Sequence, residues 1–193
     1  RRQRQMCIRD SPLAAIGVGG SVTARTLSSG TNGGNLVIDS SGTLTLTGEA
    51  EGIANTHISG EGTLHLAEGA SLGLAADSTL SGVVLELDGS LSLEADSSAG
   101  GLKGSGALTL NGQTLNIQAD SGRTYTFEGT LGAGTLDVSG AGTQVLRSSG
   151  ADTGLTISGG NLVLQGKADV EEARLSYGLS LIHISEPTRL LSI

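Results

Sequence analysis

GTLTLTGEAEGIANTHISGEGTLHL, residues Gly42 to Leu66, contains the pattern that decides the fold. It opens and closes on one phrase, Gly-Thr-Leu-x-Leu, at Gly42–Leu46 and again at Gly62–Leu66, 20 positions later. Apolar residues alternating with polar ones at period two describe a strand with one buried face. The phrase returns as NLVI (Asn35 to Ile38), ASLGL (Ala70 to Leu74), GSLSL (Gly89 to Leu93), GALTL (Gly106 to Leu110) and QTLNI (Gln113 to Ile117). Further copies are RTYTF (Arg123 to Phe127), GTLDV (Gly134 to Val138), GLTI (Gly154 to Ile157) and GNLVL (Gly160 to Leu164).

Spacing arranges these strands. Leu36 to Leu44 and Leu64 to Leu72 are separated by 8 positions, and Leu108 to Leu115 and Leu155 to Leu162 by 7. Leu44 to Leu64 is 20, and Leu72 to Leu91 and Leu136 to Leu155 are each 19. A fixed period with sub-periods inside it is the signature of a solenoid. The predicted fold is all-β, a right-handed parallel β-helix of about 20 residues per rung. Leu, Val and Ile would point inward, with Thr, Ser, Asn and Asp between them facing water, and Gly and Ser at the corners permitting sharp bends. GGNLVI (Gly33 to Ile38) returns as GGNLVL (Gly159 to Leu164) 126 positions on, about six such turns. The competing architecture is a meander sandwich, whose hairpins favour type I′ Asn-Gly or Asp-Gly turns. Only Asn32-Gly33, Asn111-Gly112 and Asp88-Gly89 offer one.

Composition narrows the class. The chain has 193 residues with 32 Gly, 1 Cys and no Trp, and 19 acidic against 11 basic residues give a net charge of −8. A lone Cys forms no internal disulfide framework, and the acidic balance opposes nucleic-acid binding. No apolar run approaches the roughly 18 residues of a membrane-spanning helix, so no membrane insertion is expected in this segment.

Residues 1–11 and 179–193 contain no Gly and differ from everything between them. Met6 to Ser11 can be encoded by ATG TGT ATA AGA GAC AGN, and Leu179 to Ser185 by CTG TCT CTT ATA CAC ATC TNN. These strings are reverse complements, and both resemble the transposon mosaic end used to prepare sequencing libraries. The expected organisation is therefore adapter-derived tails at 1–11 and 179–193 around a β-helix repeat segment, 12–178, incomplete at both ends. Setting aside Arg1, Arg2, Arg4, Arg9 and Arg189 with Asp10 and Glu186 leaves 6 basic and 17 acidic residues, a net charge of −11 over 167 residues without Cys. At ~4.8 Å between paired strands, that length predicts about eight rungs and a rod of roughly 40 Å.

Gly104-Ser-Gly106-Ala-Leu108-Thr-Leu110-Asn-Gly112 resembles the G-x-G-x-L-x-L-x-G opening of the autotransporter-associated β-strand repeat. Leu155 to Leu164 is similar to its closing half, and Gly42 to Leu66 resembles one whole unit without the aromatic usual at its middle. The resemblance implies the passenger region of a Gram-negative surface protein at the cell surface or secreted outside it. The parent protein would carry an outer-membrane translocator. Expected partners are host or matrix glycans or other cell-surface molecules, and the repeat itself carries no catalytic residues. Absence of Cys suits a chain exported through an oxidising periplasm.

Chemistry-bearing residues are few. Carboxylate pairs fall at i,i+2: Glu49 and Glu51, Glu86 and Asp88, Glu94 and Asp96. On a strand each pair shares a face, the arrangement a glycosidase or a Ca²⁺ site wants, although a solvated acidic face is the expectation. Tyr125, Phe127 and Tyr177 are the only aromatics, and Tyr125 and Phe127 are assigned to the core. His57 and His65 are 8 apart, with neither Cys nor H-x-x-x-H spacing, so no metal ligand set is assigned; His65, between Leu64 and Leu66, should face outward. No catalytic, cofactor-binding or metal residues are assigned. The functional expectation is a structural and presentational stalk that contributes to adhesion. The alternative is a fragment of a β-helical polysaccharide-degrading enzyme or phage tailspike, which would show carboxylates beside a groove with aromatics.

Overall fold

The computed structural model describes residues 4–8, 15–29, 33–147, 153–165, 172–175 and 182–185. Every regular element among them is a β-strand, and every strand pairing is parallel. Parallel pairing excludes the hairpin sandwich, because neighbouring strands in a sheet must be joined by crossovers. The crossovers here are further strands on other faces, so the chain coils into a β-solenoid of about 7 turns with roughly 20 residues per turn.

Three faces make up a turn. Thr43–Leu46 lies on the first, Glu49–Ile53 on the second and Thr56–Gly60 on the third, after which Thr63–Leu66 returns to the first. The first face is one continuous sheet of 10 strands running from Arg4–Ile8 to Ile182–Ser185. The second is a sheet of 5 strands, and the third is a sheet of 4 followed along the rod by one of 5. Eight strands of the first face fall within residues 12–178 and bound about 7 turns, one fewer than the eight rungs the length predicts.

Stacked leucines build the interior. Leu44, Leu64, Leu85 and Leu102 are register partners in adjacent rungs, as are Leu46, Leu66 and Leu87, and all seven are at 0 % exposure. Each buried Leu contributes about 1.5–3 kcal/mol relative to exposure. The second column is interrupted at Gly104, whose register partners are Leu87 on one side and Phe127 on the other. A Cβ on Gly104 would lie 2.2 Å from the Leu87 carbonyl oxygen, and its φ of 105° is one that other residues avoid. Phe127, fully buried, follows in the next rung, and its ring tip lies against Gly129, where a Cβ would come within 2.6 Å of Cζ.

Two features depart from simple alternation. Thr56, Ser78 and Ser97 are buried, not water-facing. The Ser78 hydroxyl accepts from the Thr56 N–H at 2.9 Å and donates to the Ile53 carbonyl at 2.8 Å, while Ser97 accepts from the Leu80 N–H at 3.3 Å. Small hydroxyls at this corner satisfy backbone groups where a rung turns inward. The other departure is Gln144, also at 0 % exposure, in the column that holds Leu162 one rung on. Pairing between Gly101–Gly104 and Thr124–Phe127 holds only at Gly104 with Phe127, so the ladder is open at Leu102. The Gln144 amide closes that gap.

The GGNLV repeat is not one position repeated after six turns. Gly34–Ile38 lies on the third face, whereas Asn161–Gln165 lies on the first. Any face accepts a polar-apolar alternating strand after a glycine corner, so the phrase specifies a strand and not its face. Asn111-Gly112 does form the anticipated turn, with φ of 52° and 81° and the Gln113 N–H donating to the Leu110 carbonyl at 2.9 Å. It joins two faces of the coil, and not two strands of a hairpin.

Strands Arg4–Ile8 and Ile182–Ser185 cap the first face although both lie in the tails read as adapter. An open parallel edge presents unpaired backbone groups that any alternating segment can satisfy, and Ile182 to Ser185 alternates apolar with polar.

Candidate functional sites: a corner groove and a histidine-carboxylate cluster

Register along the first face brings together residues far apart in sequence. On its outer surface Thr45, His65, Glu86 and Lys103 are successive register partners. Thr45 Oγ1 lies 3.4 Å from His65 Nδ1, His65 Nε2 lies 3.1 Å from Asp88 Oδ2, and Lys103 Nζ lies 2.8 Å from Glu86 Oε2. His65 faces outward as expected, with its side chain 24 % exposed. One ligand atom each from His65, Glu86 and Asp88 falls within 4.8 Å of the others. Neighbouring His65, Ala67, Glu68, Asp88 and Ser105 line an open depression of about 530 Å³.

A second concavity, about 410 Å³, runs up the corner between the third face and the first. Gly82, Val84 and Gly100 line it together with Glu61, Lys103, Gln118, Asp120, Arg123 and Tyr125. Two consecutive rungs place glycine at this corner, which leaves the backbone bare. The Tyr125 ring lies across Gly101, where a Cβ would meet its ring carbons at 2.4–2.6 Å. Tyr125 is thus only half-buried and borders the groove, unlike Phe127 in the core.

The remaining sequence candidates stay apart from these clusters. Glu49 and Glu51 are exposed together on the second face. Glu94 is exposed, and Asp96 accepts the Thr114 N–H at 2.7 Å, capping the strand of the following rung. His57 Nδ1 is 2.9 Å from Thr79 Oγ1 on the third face. Tyr177 lies outside the described residues. Among the described residues, 3 ion pairs occur: His65 with Asp88, Lys103 with Glu86, and Arg147 with Glu128.

Along the chain Glu86 pairs with Asp88 at i,i+2, and His65 lies 21 positions before Glu86. The signal that joins them is the rung period: Leu64 faces Leu85, which puts His65 beside Glu86. The corner groove had no such signal, because its shape comes from the Gly82 and Gly100 corners beside the longer excursion at Gln118–Arg123. Compared with known proteins, the chain matches no family model, no curated protein and no solved structure. The fold and these two clusters define the class, a β-solenoid rod with polar surface features.

Proposed function

We propose that residues 12–178 are a structural and presentational segment of an extracellular bacterial surface protein of the autotransporter type. In this reading the rod holds other modules away from the outer membrane and contributes to adhesion, and the segment itself performs no catalysis. The observation that carries it is the run of stacked, fully buried leucines through successive rungs, with hydroxyl and amide side chains closing the backbone between them. Such stacking propagates a stiff rod through nearest-neighbour contacts. The similarity of Gly104–Gly112 and Gly42–Leu66 to the autotransporter-associated repeat adds the cellular setting.

The test is the coding DNA. Adapter strings are expected to encode residues 1–11 and 179–193, and the extended natural frame should contain an export signal and a C-terminal translocator. An extended frame that lacks both refutes the surface assignment.

One observation favours the polysaccharide-degrading enzyme or tailspike: Glu61, Asp120 and Tyr125 line a single groove, the combination of carboxylates and aromatic that sugar chemistry uses. Release of reducing ends from a panel of acidic and neutral polysaccharides, lost in Asp120→Asn and Glu61→Gln, would establish that reading over the stalk.

A further inference from the structure

The histidine and two carboxylates on the first face constitute a donor set that the stalk function does not use. We propose that His65, Asp88 and Glu86 form a surface site for a divalent transition-metal ion of the Zn²⁺ class, with Lys103 as a built-in competitor. Two ligand atoms bound tetrahedrally at about 2.0–2.1 Å from an ion are themselves about 3.3 Å apart. The separation of His65 Nε2 and Asp88 Oδ2, 3.1 Å, is close to that value. A third donor from Glu86 completes a set whose atoms all fall within 4.8 Å.

Donor type selects the ion. One imidazole nitrogen with carboxylate oxygens suits Zn²⁺, Ni²⁺ or Cu²⁺, whereas Ca²⁺ takes six to eight oxygens, more than these three side chains offer. Orientation is provided from the previous rung. In the ion-free chain Nε2–H donates to Asp88 Oδ2 at 3.1 Å. An ion displaces that hydrogen, and Nδ1, 3.4 Å from Thr45 Oγ1, then keeps its own hydrogen and donates it to the hydroxyl, which leaves the Nε2 lone pair for the ion. The open depression beside the cluster leaves room for water to complete the coordination.

Lys103 sets the affinity. Its ammonium pairs with Glu86 at 2.8 Å and must yield that carboxylate before an ion can take it. The strands carrying these residues belong to adjacent rungs, so an ion would cross-link Thr63–Leu66 to Val84–Leu87 from outside the core.

Titration calorimetry with Zn²⁺ on the full chain in a Cys7→Ser background tests this, with Ca²⁺ as the comparison ion. His65→Asn and Asp88→Asn are expected to weaken Zn²⁺ binding by about tenfold or more, Lys103→Met to strengthen it severalfold, and His57→Asn to leave it unchanged. Gain of affinity in Lys103→Met cannot arise from misfolding, and far-UV circular dichroism checks the other variants. Zn²⁺ binding that survives His65→Asn, or that fails to rise in Lys103→Met, overturns the site. Ca²⁺ bound as tightly as Zn²⁺ overturns the assignment of ion class.

Discussion

The side-chain amide of Gln144 hydrogen-bonds both backbone groups of Leu102, 42 positions earlier and two strands away in the same sheet. Gln144 Nε2 donates to the Leu102 carbonyl at 2.8 Å, and Oε1 accepts the Leu102 N–H at 3.1 Å. A primary amide reproduces the donor and acceptor of a missing peptide group, and here it spans the place where the intervening strand Thr124–Phe127 is out of register. Replacing it by Leu, the residue at position 162 in the next rung, strands both Leu102 groups in the interior. Gln144→Leu is expected to cost about 2–5 kcal/mol, the penalty for two buried unsatisfied groups. Urea unfolding measures it, and a loss below about 0.5 kcal/mol would show that Leu102 finds other partners.

Gly104 and Gly112 separate two reasons for glycine. Both have positive φ, but a Cβ on Gly104 meets the Leu87 carbonyl oxygen at 2.2 Å, whereas one on Gly112 meets nothing within 4 Å. Gly112→Ala should cost about 1 kcal/mol, the dihedral penalty alone. Gly104→Ala should cost about 3 kcal/mol or more, because rungs must also move apart. Equal losses in chemical denaturation would mean that the rung spacing relaxes freely.

Phe127 is the largest side chain in its column, next to Gly104 on one side and Leu146 on the other, and its ring tip lies against Gly129, where a Cβ would come within 2.6 Å of Cζ. Phe127→Ala should destabilise by about 3–5 kcal/mol. Phe127→Leu restores the column's commonest residue and should still lose about 1–2 kcal/mol, since the space the ring tip occupies against Gly129 is then left unfilled. Thermal unfolding in which Phe127→Leu matched the parent would remove the argument for paired glycine and aromatic.

On the third face, Asp137 joins three rungs. It accepts from Asn116 Nδ2 at 2.6 Å and from the Ser158 hydroxyl at 2.9 Å, and Ser139 donates to Asn116 Oδ1 at 2.7 Å. Partial exposure limits the value of such bonds. Asp137→Ala is expected to cost about 1 kcal/mol, and a double-mutant cycle with Asn116→Ala should recover part of that as coupling energy. Strict additivity would mean that the two side chains act independently.

Much of the fold was legible because a period-two pattern repeated near 20 admits few architectures, and the Leu44, Leu64 and Leu85 register follows directly from that spacing. Face assignment was not legible. The GGNLV phrase occupies different faces at Asn35 and Asn161 because strand and corner requirements are the same on each. Gln144 reads as a polar residue on a strand, and only the opened ladder at Leu102 explains its burial. Ser78 and Ser97 sit at corners, where Ser is expected for the bends, but their burial as internal donors and acceptors for the neighbouring rung has no signal in the sequence. His65 beside Glu86 was available from the period, but only once side-by-side rungs, and not positions along one strand, were taken as the unit.

Parallel pairing between rungs has a mechanical corollary. The backbone hydrogen bonds joining one turn to the next point along the rod, so tension on its two ends would load them from the outermost turn inward, not all at once. Each released turn of about 20 residues, at ~3.4 Å per residue, pays out roughly 70 Å of chain. A coil of this kind would yield under pull in small repeated steps, one turn at a time.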